Sequence, residues 1–171
     1  MNNQGNTGKE RKRIRFIVYG GILLAIAALF PALRLPQYIT GPAVNFTLII
    51  ATYVLGTVGG VVVGCFTPWI AFVSGLMPVA FLPPIIMVGN AIYTLIFGLL
   101  KRYGMKGEIT GVVIGAVLKY LFLAYAVTHL VKAPPKLIQM LSLPQLFTAL
   151  MGGAVALAVI KTKRIPKDVL K

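Results

Sequence analysis

The sequence predicts an all-α integral membrane protein, a bundle of six transmembrane helices with both termini in the cytoplasm. Of its 171 residues, 58% are hydrophobic and 12% are charged, whereas soluble domains have about 45–50% and about 25%. The stretch from Leu35 to Leu100 runs for 66 residues without Asp, Glu, Lys, Arg or His. One crossing of a hydrocarbon core about 30 Å thick needs about 20 apolar helical residues, so the chain can supply about six or seven crossings.

Proline, glycine and charged residues divide the apolar sequence into successive segments. The first follows the basic residues up to Arg15 and has no clear small-residue cleavage site, so we expect a retained helix rather than a signal peptide. The six predicted helices are 16–33, 43–56, 58–77, 84–100, 108–131 and 143–161. A membrane domain over 16–161 would therefore lie between a basic N-terminal segment, 1–15, and a basic tail, 162–171.

The basic residues give an independent prediction of topology. Five of them precede helix 1, three lie between helices 4 and 5, and five belong to the end of helix 6 and the tail, whereas the opposite loops hold only Arg34, Lys132 and Lys136. Because Lys and Arg collect in cytoplasmic segments, this asymmetry places both termini in the cytoplasm. The net charge of +14 therefore reflects topology, with contact to anionic lipid as an addition. Nucleic acid is not a predicted partner, since no aromatic residues are interleaved with these charges.

The predicted membrane interior lacks the groups that most chemistry needs. All three acids, Glu10, Glu108 and Asp168, fall in predicted cytoplasmic segments, which argues against an ion-coupled carrier or a proton pump. The single histidine, His129, cannot form a two-histidine metal site, and the single cysteine, Cys65, cannot form an internal disulfide. No nucleophile has a recognisable general-base partner. We therefore predict no catalytic residue, no metal and no cofactor.

Lys119 is the one residue whose insertion into the membrane is predicted to cost substantial free energy, because it lies about 11 positions into predicted helix 5. A charge near the bilayer centre costs about 2.5–3.5 kcal/mol on insertion scales. Three explanations stay open: loss of the proton, snorkelling with backbone carbonyls, or an anionic group on a bound molecule. If Lys119 faces a cavity, Phe122 and Ala126 share its face and His129 lies near their extension, with Tyr125 on the same outer half.

Other polar residues lie at a similar depth near the outer side. An amide in hydrocarbon must find a partner, so it either bridges two helices or faces a wet cavity. The second alternative predicts an outer pocket for a small organic solute. With Lys119, Tyr125 and His129, its candidate substrate-binding residues are Asn45, Trp69, Asn90 and Gln139, and Thr47 and Gln145 lie nearby.

Small residues form rows at helical spacing. Gly56, Gly60 and Gly64 form one such row, and Gly107, Gly111 and Gly115 form another; both are expected to be contacts inside the bundle. A third row lies on one face of helix 1, where it could pack inward or receive a partner. It consists of Gly21, Ala25, Ala28 and Ala32.

These features resemble the S components, the substrate-capture subunits of energy-coupling factor (ECF) vitamin transporters. The resemblance covers helices 1 to 6 and rests on size, topology, the Ala28 and Ala32 pair and the segment LGTVGGVVVG at 55–64. That segment looks like the family's leucine-glycine-proline turn followed by spaced glycines, with Thr57 in the usual proline position. The resemblance implies that the helix 1 face docks a transmembrane coupling subunit, and that two cytoplasmic ATPases supply the energy. It also adds Arg34, Gln37 and Tyr38 as candidate gate or ligand contacts.

The expected function is therefore a substrate-binding subunit of an ECF-type ABC importer in a prokaryotic plasma membrane. It would capture a vitamin or related small molecule carrying an anionic group that meets Lys119. A structural or assembly subunit of another membrane complex is the alternative, and a stand-alone carrier or membrane enzyme comes third.

Overall fold

The computed structural model describes residues 4–77, 79–131, 133–163 and 165, with residues 4–8 and 163 described by their backbone only. The described part is all-helical. Its helices are α1 (Gln4–Ala32), α2 (Gln37–Val73), α3 (Leu82–Leu100), α4 (Gly104–Tyr125), α5 (Pro135–Leu141) and α6 (Leu143–Lys163). A 3-10 turn, Lys101–Tyr103, joins α3 to α4, and a π-helical turn, Ala126–Leu130, extends α4.

Helix α2 folds back on itself at Gly56. This residue has φ 82° and ψ 175°, a backbone conformation that side-chain-bearing residues rarely adopt. Beyond it, Gly60 lies so close to Thr52 that an added Cβ would clash with the threonine, whereas eight residues of continuous helix would separate them by about 12 Å. The two arms, 37–55 and 57–73, are therefore antiparallel, and Gly56 lies at the predicted boundary between helices 2 and 3.

Glycines bring the remaining helices into close contact. Gly111 and Gly115 of α4 lie against Phe97 and Tyr93 of α3. On α6, Gly152 meets the backbone of Pro42 and Phe46, and an added Cβ would clash with both. Small residues permit such close approach in membrane bundles, where packing drives helix association. Gly60, Gly64, Gly107, Gly111 and Gly115 are all buried, as expected for contacts inside the bundle. Gly56, predicted to belong to the first of these rows, is partly buried and forms the reversal instead.

Within the part of the chain that the structure describes, four helical stretches are long and apolar enough to cross a membrane: Lys9–Ala32, Gln37–Val73, Leu82–Leu130 and Pro135–Thr162. The predicted helix positions are largely those observed. Four differences stand out: α1 extends back through the basic segment to Gln4, α2 begins at Gln37 rather than at 43, its second arm stops at Val73 rather than at 77, and α5 was not predicted. The predicted basic tail lies mostly outside the described residues.

A buried lysine ties the reversal of α2 to the end of α3. Lys101 is only 5% exposed, and its Nζ donates to the backbone oxygens of Thr52 at 2.7 Å and Tyr53 at 3.3 Å. The same Nζ lies 5.7 Å from the centre of the Tyr53 ring. These carbonyls belong to the last turn before Gly56, where the helix dipole favours a cation. Lys101 therefore stabilises the end of the first arm.

Candidate functional site

A cavity of about 610 Å³ lies at one end of the bundle. It is bounded by α2, α3, α4 and α6 and by the connection between α1 and α2, while α5 and the connection between α2 and α3 complete its wall. Both arms of α2 contribute, since Asn45 and Thr67 line the same space. This volume falls within the range of about 300–1,000 Å³ that is usual for small-molecule sites.

The base of the cavity is a polar cluster centred on Lys119. This residue lines the cavity, yet its side chain is only 2% exposed. Its Nζ donates to Asn45 Oδ1 at 2.7 Å and to Asn90 Oδ1 at 2.9 Å. It also lies 5.5 Å from the centre of the Tyr93 ring, within the distance of a cation–π contact. Three helices thus converge on one ammonium group.

Each partner of Lys119 is itself held in place. Asn45 Nδ2 donates to the backbone oxygen of Gly41 at 2.9 Å, and Asn90 Nδ2 donates to that of Gly64 at 3.0 Å. The Tyr93 hydroxyl donates to the backbone oxygen of Ala149 at 2.8 Å. Because the amide nitrogens are engaged, both amide oxygens face the lysine as acceptors. The arrangement orients Lys119 before any ligand binds.

No acid of its own helix lies beside the amino group of Lys119. Its two side-chain acceptors are neutral amides, and the acid on α4, Glu108, lies eleven residues or about 16 Å away along the helix axis. When Lys119 is protonated, its ammonium has three donor hydrogens, and the two bonds to asparagine use two of them. The third is then available for a charge-assisted bond to an anion.

The rest of the cavity is amphipathic. Its wall between the base and the connections is largely apolar, and polar groups return near the mouth. The apolar group comprises Leu76, Met77, Leu82, Ile86, Met140 and Leu141. The polar group at the connection between α1 and α2 and the start of α2 comprises Arg34, Gln37 and Thr40, and the buried Gln145 of α6 adds a further polar group to the lining. A cavity with a polar base and a largely apolar wall suits an organic molecule with an apolar body and a polar or charged end.

Arg34 occupies a special position at this mouth. It is the one described residue other than glycine with positive φ, at 51°, in the short connection between α1 and α2. Non-glycine residues adopt this left-handed region uncommonly. Its backbone N–H donates to the oxygen of Pro31 at 3.0 Å, which closes a tight turn. The turn holds the Arg34 side chain at the cavity.

Of the ten predicted substrate-binding residues, the structure brings five to the cavity. These are Arg34, Gln37, Asn45, Asn90 and Lys119. The other five lie elsewhere, so that their predicted contact with a solute has no support from this geometry: Tyr38, Trp69, Tyr125, His129 and Gln139.

The five displaced residues lie on other faces of the helices that line the cavity. Tyr38 follows Gln37 by one residue, about 100° around α2, and is 70% exposed. Trp69 donates through Nε1 to Met87 Sδ at 3.4 Å on an exposed surface. Tyr125 is six residues beyond Lys119, about 120° away around the helix, and stacks on His129 with ring centres 4.9 Å apart.

The two residues predicted to share the cavity-facing side of the helix with Lys119 also lie away from the cavity. Phe122 and Ala126 are not among the residues that line the cavity; both pack in an apolar cluster. The π-helical turn at Ala126–Leu130 changes the helical phase beyond this point, which simple helical spacing does not anticipate. Gln139 is exposed on α5.

Sequence reasoning missed Tyr93 and the contribution of α5. Tyr93 follows Asn90 by three residues and therefore shares its face of α3, a signal that could have included it. The residues of α5 that line the cavity are Leu137, Met140 and Leu141. Their apolar character gives no local indication of a binding role.

The predicted partner face on α1 lies largely at the surface. Gly21, Ala25 and Ala32 are exposed and Ala28 is partly buried, and a Cβ added to Gly21 would have no neighbour within 4 Å. Ala27, on the other side of the helix, is completely buried. The inward-packing alternative for this row therefore does not describe the structure.

Comparison with known proteins identifies the family of the chain. No curated protein and no solved structure shows significant similarity to the chain. The family model described as "ECF transporter, substrate-specific component" matches residues 15–162, most of the chain and all of the solute cavity. The chain therefore belongs to the family of ECF transporter substrate-specific components.

Proposed function

We propose that this chain captures a small organic anion from outside the cell, with the anionic group bound at Lys119. As a member of its family the chain is a substrate-binding subunit rather than an enzyme. The observation that carries the proposal is a buried ammonium at the base of a cavity of about 610 Å³, oriented by two neutral amides. A carboxylate or phosphate there would offset the cost of burying the charge.

The cavity supports a vitamin-like solute with an apolar body. Side chains of Leu82, Ile86 and Met140 would contact that body, while Asn45 and Asn90 would contribute polar surface beside the anion. Arg34 and Gln37 at the mouth would contact the opposite end or close over it. Few polar groups in an otherwise apolar cavity are typical of small-molecule sites.

The proposed topology has six crossings and cytoplasmic termini. The reversal of α2 at Gly56 divides its 37 residues into two arms, which with α1, α3, α4 and α6 gives six passages of the chain. The basic residues in the N-terminal half of α1, around the junction of α3 and α4 and at the end of α6 then share one side, as the positive-inside rule requires. This arrangement opens the solute cavity to the outside of a prokaryotic plasma membrane.

The proposed partners are a transmembrane coupling subunit and two cytoplasmic ATPases. The exposed row of Gly21, Ala25, Ala28 and Ala32 supports docking through α1, because small side chains let another helix approach closely in lipid. ATP hydrolysis in those partners would supply the energy for transport. The chain would then not need the intramembrane acids through which a self-powered carrier couples transport to an ion gradient. The alternative of a structural subunit in another complex has no comparable support, since the family is one of substrate-specific components.

The solute proposal is tested with the full chain purified in mild detergent. Native mass spectrometry should detect a retained small molecule whose fragmentation shows a carboxylate or phosphate. Lys119→Met should abolish retention, whereas Lys106→Met, the same substitution at an exposed position of the same helix, should not. Equal retention by both variants, or a retained cation, would contradict the proposal.

The docking proposal needs a separate readout. Ala28→Leu and Ala32→Leu should leave solute retention unchanged but prevent copurification with the coupling subunit and the ATPases, as well as ATP-driven uptake. Val155→Phe, which adds bulk at an exposed position of α6, is the control and should affect neither. Loss of solute retention in the alanine variants would contradict a docking role for this face.

A further inference from the structure

A second cavity, of about 560 Å³, lies between α4 and α6, away from the solute cavity. Its walls are apolar along most of their length. The residues that form them include Ile109, Val113, Leu150, Ala154, Leu157 and Ala158. Ile109 is 48% exposed and Val113 is 46% exposed, so this space is a groove open along the side of the bundle. None of these residues takes part in the proposed solute site.

The groove, from Leu150 to its charged end at Lys161, is about as long as one lipid leaflet. Lys161 lies eleven residues beyond Leu150 on α6, a span of about 16 Å at 1.5 Å per residue, and the apolar part from Leu150 to Ala158 spans about 12 Å. One half of a hydrocarbon core about 30 Å thick is about 15 Å. The apolar part of the groove therefore covers most of the length of one acyl chain in a leaflet.

The charge of the groove is confined to one end. Lys161 and Thr162 line that end and both are exposed, near the C-terminal end of the helical stretch that is apolar enough to cross the membrane. Lys106, one turn before Ile109, is also exposed there. Glu108 is buried and is not among the residues that line the groove. A cation thus stands where a lipid headgroup would lie.

We propose that this groove binds one anionic phospholipid, with an acyl chain between α4 and α6 and the phosphate at Lys161. A lipid of this kind supplies both an apolar chain of the right length and a negative group at its end. Lysines near the headgroup region of a membrane attract anionic lipid by about 1 kcal/mol each, which corresponds to about a fivefold preference.

The experiment compares two lipids with identical oleoyl chains, phosphatidylglycerol and phosphatidylcholine, added in turn to the detergent-purified full chain and counted by native mass spectrometry. We expect phosphatidylglycerol to bind at one saturable site about fivefold more tightly. Lys161→Gln should remove most of that preference. Lys136→Gln, which changes an exposed lysine on α5 far along the chain from the groove, should leave it unchanged.

A second variant tests the acyl part of the site. Ala158→Leu adds volume to the groove wall at an exposed helical position and should weaken both lipids by a similar factor. Equal binding of the two lipids to the unaltered chain would overturn the proposal. The proposal would also be overturned if Lys161→Gln and Lys136→Gln lowered the preference for phosphatidylglycerol by the same factor. Retention of the solute at Lys119 is measured in the same spectra, so that failure of this proposal is distinguishable from failure of the solute site.

Discussion

Among the described residues, Lys101 and Lys119 are buried lysines with similar surroundings, and different kinds of oxygen accept from them. Each is at most 5% exposed, each donates from Nζ to two of the oxygens described above, and each lies less than 6 Å from the centre of a tyrosine ring. Backbone carbonyls of a helix end accept from Lys101, whereas side-chain amides accept from Lys119. Of these two lysines, Lys119 lines the solute cavity.

This difference separates a lysine that serves folding from one that can serve binding. Backbone carbonyls at the end of a helix arm cannot turn away, so the contacts of Lys101 are part of the fold. Asparagine oxygens at the wall of a cavity orient Lys119 while its remaining donor is left for a ligand. The same residue type, at similar burial, therefore has two roles that depend on what surrounds it.

The largest expected effect comes from Asn90→Asp, which places a carboxylate beside Lys119 with almost no change in shape. The new charge neutralises the ammonium, and we expect affinity for the retained anion to fall at least about 30-fold, in line with the 2–5 kcal/mol effects of altering buried charge pairs. Isothermal titration calorimetry, with the isolated solute added to each purified variant, measures this affinity. Asn90→Leu removes the hydrogen bonds to Gly64 and Lys119 without adding a charge, so the difference between the two variants reports the effect of the new charge. An unchanged affinity in Asn90→Asp would show that charge at Lys119 does not select the solute.

The next effect concerns stability. Lys101→Met removes the hydrogen bonds to Thr52 and Tyr53 and leaves helix-end carbonyls buried, so we expect the free energy of unfolding to fall by about 2–3 kcal/mol, typical of bonds to charged groups. Lys119→Met in the solute-free protein should lower it by less than about 1 kcal/mol, since removal of a buried charge offsets the lost bonds. Thermal unfolding in detergent measures both losses of stability. A larger loss in Lys119→Met than in Lys101→Met would contradict the assignment of Lys101 to folding and Lys119 to binding.

The smallest effect is expected for Tyr93→Phe. This substitution removes the hydrogen bond to the backbone oxygen of Ala149 but keeps the ring near Lys119. We expect unfolding free energy to fall by about 1 kcal/mol, with solute affinity changed less than about twofold. Tyr93→Leu, which removes the ring as well, should weaken the solute further if the ring helps to orient the ammonium. A large loss of affinity in Tyr93→Phe would instead give the hydroxyl a role in binding.

Much of the fold could be predicted because its signals are local. The break at Gly56 and the ends of α3 are marked in the sequence by glycine and by charge, and their observed positions agree. The missed helix α5 is short and follows Pro134 and Pro135, residues that indicate a loop when no tertiary contact is known. Packing stabilises its seven residues, because Leu137 and Leu141 lie in an apolar cluster with Leu82 and Val127.

The candidate site could be predicted only in part. Lys119, Asn45 and Asn90 stand out because each is a polar residue in an apolar helix, and that cost is visible without any structure. For the aromatic candidates, depth in the membrane was the available signal, and depth does not fix the face of a helix. Trp69 and Tyr125 are at suitable depths but lie on surfaces away from the cavity.

The sequence by itself determined that this chain is a helical membrane protein, where most of its long helices run, and that a lysine on α4 needs a partner. These properties follow from transfer free energies and backbone preferences, which depend on each residue and its neighbours along the chain. Only the tertiary structure decided that Asn45 and Asn90, separated from Lys119 by 74 and 29 positions, meet it at the base of one cavity. That convergence depends on the reversal at Gly56 and on the rotation of each helix about its axis, which packing between distant segments fixes.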